Sequence, residues 1–112
     1  MTVSDIENSA RRILQDTQEP YRWTNEEMRE SLQEGVAALN AIRPETRYVG
    51  GSLYDFIELP KTDSEKISIN PRYREALVFY VVYKCYLVDN TDTVDAQLAE
   101  MYLGKFNTKA QL

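Results

Sequence analysis

The sequence predicts a mainly α fold: four helices in an up-and-down arrangement of two helical hairpins, with a loop or small β-hairpin inserted between helices 2 and 3. Three observations carry that expectation. Hydroxyl and amide residues stand at capping positions before stretches whose apolar residues recur at helical spacing. The helical period vanishes from Glu45 to Ile69, where Gly50, Gly51 and Pro60 punctuate the chain. Two apolar segments then follow, joined by a short polar link. A chain of 112 residues suits one domain with one modest core, so 1–112 is read as a single unit.

The first helix is placed over 4–16, because Ser4 and Glu7 have the spacing of a reciprocal capping pair and Ile6, Ala10, Ile13 and Leu14 share one face. Helix 2 is placed over 24–43. Thr24 and Glu27 repeat the capping pattern there, with Trp23 before the cap and Met28 where a hydrophobic staple meets it, which gives the lone tryptophan a structural role. Met28, Leu32, Val36, Leu39 and Ile42 then line one face, while Glu26, Glu30 and Glu34 line another. Like charges at that spacing repel by about a few tenths of a kcal/mol per pair, unless Arg22, Arg29 or a partner subunit supplies cations. Gly35 inside this helix costs ~1 kcal/mol against alanine, which points to a close approach by a neighbouring element. Arg43-Pro44 ends it, since the residue before a proline is driven out of helical geometry.

Within the 45–69 insertion, Leu53 to Leu59 and Lys66 to Ile69 are the expected strands, joined by the polar Lys61 to Glu65 stretch. A two-stranded ribbon is marginal by itself, so the helices or another subunit must cover it. Asn70 and Pro71 read as cap and first residue of helix 3, placed over 70–88. Its Leu77 to Tyr83 run has strand propensity, but the length of the segment and its Asn-Pro start favour a buried helix. Thr91 to Thr93 offer caps for helix 4, placed over 92–106 with Val94, Leu98, Met101, Tyr102 and Phe106 on one stripe. Gly104 is read as a point of fraying and 107–112 as a mobile tail.

The 13 basic and 18 acidic residues leave a net charge of −5, which disfavours tight binding to a phosphate backbone. There is no histidine and Cys85 is the only cysteine, so an intrachain disulfide, a Cys/His zinc site and a histidine triad are excluded. Asp89, Asp92 and Asp95 lack the glycine an EF-hand loop requires, Val94 standing in its place, and helix capping explains them better. Gly50-Gly51 fits no phosphate-binding pattern. No cofactor and no catalysis are expected. The start of the chain has no secretory pattern and no apolar run is long enough to span a bilayer, so a cytosolic place of synthesis and no membrane partner are expected. Tyr73, Tyr80, Tyr83 and Tyr86 distribute around helix 3, more than one small core can hold, which implies subunit packing.

Arg22-Trp23-Thr24, then Leu32-Gln33-Glu34-Gly35 and Ile42-Arg43-Pro44, then an Asn-led aromatic helix closing at Asp89 and a last helix ending at Phe106, together resemble a tailed-phage adaptor family, small helical head-to-tail connectors. The resemblance spans about Arg22 to Phe106. Gln33 stands where such sequences often have Asn, and Lys84 to Val88 is more apolar than the family pattern. The resemblance implies a structural virion protein at the head-tail junction, in a ring that is commonly dodecameric, docked beneath the portal and offering a platform to a downstream tail or nozzle protein. DNA would pass through without sequence-specific binding. On this reading Tyr48, Tyr54, Phe56, Ile57 and Leu59 of the insertion, with Lys105, Phe106 and Lys109 near the C-terminus, are the expected partner-binding residues. Glu26, Glu30 and Glu34 are the expected channel-facing acids, and Trp23, Thr24, Glu27, Met28, Gly35, Pro44, Asn70 and Pro71 the structural set. A small cytosolic helical binding module or regulator is the alternative that stays open.

Overall fold

The computed structural model describes residues 1–88 and 93–111. Thr91 and Asp92, expected as caps, Asp89 of the acidic trio and Leu112 lie outside the described residues. The described chain forms four α-helices: α1 (Val3–Leu14), α2 (Asn25–Ile42), α3 (Arg74–Val88) and α4 (Thr93–Ala110). A small antiparallel hairpin, β1 (Tyr48–Val49) and β2 (Ser52–Leu53), lies between α2 and α3. The molecule measures 44 × 27 × 19 Å, so across its thinnest direction it is about two helices deep.

The expected start of α1 is displaced. Its cap is Thr2, whose hydroxyl accepts from Asp5 N at 3.1 Å, and not Ser4. The cause is non-local: Thr2 bridges to Lys66 and Ile67 N donates to Met1 O at 3.0 Å, which holds Thr2 in the extended conformation a cap requires and lets the helix begin at Val3. The helix ends at Leu14, short of residue 16, because Gln15 turns left-handed at φ 57° and Asp16 N donates back to Arg11 O.

Asp16 then organises the entry to α2. Its carboxylate accepts from Arg22 N at 2.8 Å and Trp23 N at 3.2 Å, and pairs with Arg11 at 2.8 Å in a buried ion pair. Arg11 also donates to Asn25 Oδ1 at 2.9 Å. The capping box of Thr24 and Glu27 forms, and Trp23 and Met28 both enter the core. Trp23 is 4% exposed, meets Tyr86 edge-on at 6.5 Å and carries the Arg22 guanidinium over its ring, so its surroundings are those of a packed residue.

α3 is the centre of the fold. Ala76, Leu77, Val78, Val81, Val82 and Cys85 are buried around it, α1 and α2 pack against it, and α4 packs against it as an antiparallel partner through the pairs Phe79–Tyr102, Tyr80–Phe106 and Glu75–Lys109. Pro71–Tyr73 forms a 3₁₀ turn before the α-helix, with Asn70 Oδ1 accepting from Arg72 N at 3.0 Å. At Gly35 α2 and α3 approach closely: a Cβ there would meet Tyr80 Cδ1 at 3.0 Å and Cβ at 3.3 Å.

α4 does not fray at Gly104 and 107–110 is no mobile tail. The helix continues to Ala110, which is fully buried, and Arg43 donates to Ala110 O at 2.8 Å and to Gln111 O. A guanidinium on the last carbonyls satisfies the helix end, and this offsets the cost of the exposed glycine.

Three substitutions test these contacts. Asp16→Asn leaves the buried Arg11 guanidinium without its counter-charge and is expected to cost about 3–5 kcal/mol in urea unfolding. Gly35→Val is expected to cost about 1–3 kcal/mol by overpacking against Tyr80, while in Gly35→Ala the gain of ~1 kcal/mol in helix propensity offsets most of the crowding.

Candidate docking surface

The insertion is held by side chains of α2. Gln33 Nε2 donates to Ile57 O at 2.9 Å and Gln33 Oε1 accepts from Leu59 N at 2.9 Å, which reproduces the donor and acceptor pair a neighbouring strand would offer. On the same helix the buried Asn40 accepts from Ile57 N at 3.2 Å and donates to Thr46 Oγ1 at 2.7 Å, and Thr46 donates to Arg43 O at 2.7 Å. Segment 57–59 therefore bonds as a strand edge does, yet it pairs with amide side chains and not with Lys66–Ile69. The expected strands Leu53–Leu59 and Lys66–Ile69 are replaced by Tyr48–Val49 paired with Ser52–Leu53. Gly50 and Gly51, at φ 58° and 82°, supply the two left-handed residues that a two-residue hairpin turn requires.

This arrangement sorts the expected partner-binding residues into two sets. Tyr48 is 59% exposed, Tyr54 50% and Phe56 56%, together with Leu53 at 53%, which lies in the same segment. Ile57 is buried and Leu59 half-buried, because alternate residues of an extended segment point to opposite sides. Neither is offered freely to a partner. At the other candidate element, Phe106 is buried under Tyr80 with ring centroids 5.0 Å apart, so it belongs to the core and not to a docking tail. Lys105 is exposed, its ammonium 5.6 Å from the Phe79 ring centre, and Lys109 pairs with Glu75 at 3.1 Å.

Glu26, Glu30 and Glu34 are exposed on α2, but they do not form a uniform acidic stripe. Lys84 of α3 holds Glu34 at 2.9 Å, which raises the lysine pKa, and Arg29 turns away to Asp63 at 2.7 Å and to Pro60 O. Glu30 lines a groove of ≈ 540 Å³ between α2 and the insertion, with Ala37, Phe56, Glu58 and Leu59. A second depression, of ≈ 470 Å³, lies beside Phe56 against Val49, Tyr54 and Ser68. At the far end of α3, Leu87, Val88 and, in α4, Val94 are exposed as well.

The described residues hold no group of three metal-ligating side chains. Burial pushes the Cys85 thiol up to about 12, so it is protonated at neutral pH, and it sits 3.5 Å from Met28 Sδ. No described helix is long and apolar enough to cross a membrane.

Glu7 of α1 is a group the sequence reading missed beyond a capping role. It is 5% exposed, its Oε1 has no partner, and burial, with Asp63 nearby, pushes its carboxyl up to about 7 against the pull of Arg11 and Arg29. Nothing in a helical pattern marks a glutamate that turns inward.

An acid whose folded pKa is raised binds its proton more tightly in the native chain, so stability is fullest below the unfolded value and falls as pH rises from about 4.5 to about 7. The loss is expected to be on the order of 1–3 kcal/mol. Urea unfolding of the wild type and of Glu7→Gln across pH 5 to 8, a span of about three units, checks this: the variant should lose this slope and exceed the wild type at the alkaline end. Comparison with family models, with characterised proteins and with solved structures finds no match.

Proposed function

We propose that this chain is a structural virion protein, a head-to-tail connector that forms a ring beneath a phage portal, joins the DNA-filled capsid to the tail and borders the DNA channel. One observation carries this reading: Tyr48, Leu53, Tyr54 and Phe56 are exposed together on a segment whose backbone is fastened to α2 by Gln33 and Asn40. Exposed aromatics on a fastened backbone suit docking, because little ordering entropy is lost when a partner covers them. The portal and sister copies are the partners proposed for this surface, and a tail protein for the rest of the ring.

Several further features support the reading. The net charge of −5 lets DNA slide past without adhering. Glu26 is the acid best suited to the channel wall, since Glu34 is neutralised by Lys84 and Glu30 belongs to the groove. The C-terminal end of α4, tied to Arg43, lies beside the start of the insertion, which braces the base of the segment that carries the exposed aromatics. The same exposed loop also suits a monomeric binding module, and stoichiometry separates the two.

Native mass spectrometry of the purified chain, alone and with assembled portal, is the test. A connector gains ring stoichiometry on the portal, and Tyr54→Ser with Phe56→Ser abolishes the gain while the fold persists by circular dichroism. A chain that never exceeds a monomer or dimer in the presence of portal is the binding module instead.

A further inference from the structure

The groove between α2 and the insertion has an apolar interior and an acidic rim. The half-buried Leu59 and the exposed Ala37 and Phe56 line it, together with the exposed carboxylates of Glu30 and Glu58. Its cation, Arg29, is spent on Asp63 and the Pro60 carbonyl, and Glu34 is held by Lys84. Glu30 and Glu58 have no ion-pair partner among the described residues. The uncompensated charge beside this apolar surface is therefore negative.

We propose that the groove takes an arginine-bearing segment of a protein partner, its methylene stem lying on Ala37 and Leu59, its guanidinium stacked beside Phe56 and bridging Glu30 and Glu58. Arginine fits better than lysine, because a planar guanidinium stacks flat on an aromatic face and offers a fixed fork of donors that matches carboxylate oxygens, whereas a compact ammonium has neither the plane nor the fork. The acidic rim repels a nucleic-acid backbone, which removes DNA as the occupant. Gln33 fixes one wall of the groove by its two hydrogen bonds to the insertion, so the site exists before the partner arrives. The inference deepens the connector reading and rests on it only for placing the partner within that assembly.

The test uses two short synthetic peptides, acetyl-LRLR-amide and acetyl-LELE-amide, titrated into the full-length chain and followed by amide chemical shifts. The arginine peptide should shift the amides of Glu30, Gln33, Ala37, Phe56 and Leu59, with an affinity that falls about tenfold in the Glu30→Gln, Glu58→Gln double variant and falls again with added salt. The glutamate peptide should not bind. Equal binding of both peptides, shifts centred elsewhere, no effect of the double variant, no binding at all, or dilution-dependent shifts showing that a second copy already fills the groove each overturn the proposal. Its failure is distinct from that of the connector reading: rings that form on the portal with the double variant unimpaired remove only the groove, whereas arginine-peptide binding without any ring removes only the connector.

Discussion

A helix that is apolar nearly all the way round is the constraint from which the rest of this small fold follows. α3 buries residues over most of its circumference, from Ala76 and Leu77 through Val81 and Val82 to Cys85, so no single neighbour can shield it. α1 and α2 cover part of it and α4 covers another part. Tyr80 shows how tightly the cover fits, lying against Gly35 of α2 while its ring meets Phe106 of α4. The apolar content that might have built a larger core is consumed around this axis, and the resulting body is only about two helices deep.

Polar side chains take over where apolar packing runs out. Asp16 gathers two backbone amides and the Arg11 guanidinium at the bend between α1 and α2, and Gln33 and Asn40 bind the insertion. These groups are costly when left unpaired and strongly directional when paired, so they set the path of segments too short to define themselves by burial. Glu7 is an exception, a buried carboxyl with an oxygen that nothing satisfies, and Arg47 Nε is another buried group without a partner among the described residues. The position of Glu7 near Asp63 connects the proton it carries to the same region of the insertion that Arg29 secures.

Local signals were legible in the sequence and remote ones were not. The capping box at Thr24, the burial of Trp23 with Met28, the close approach at Gly35 and the stop at Pro44 all follow from residues near one another in the chain. The cap of α1 does not, because Thr2 prevails over Ser4 only through its pairing with Lys66. The hairpin was misplaced for a related reason: the apolar and aromatic residues of Leu53 to Leu59 mark a strand-like stretch but say nothing of what its backbone pairs with. The adjacent glycines carried the missing signal, as two left-handed residues between short strands. At the C-terminal end, Gly104 suggested fraying because Arg43, which secures the last carbonyls, lies far away in sequence. Of the candidate surface, the exposed rings were legible as a cluster of aromatics in a breaker-rich segment, and the apolar stripe of helix 4 already pointed Phe106 inward, whereas the inward turn of Ile57 depended on tertiary packing.

The attachment of the insertion has a consequence for variation. Gln33 and, two helical turns on, Asn40 grip main-chain groups that every residue type except proline offers alike. Substitutions at 54, 56 and 58 can therefore change the chemistry of the tip while its handle stays seated, so related chains can acquire new clients by altering a few outward residues without rebuilding the body that presents them.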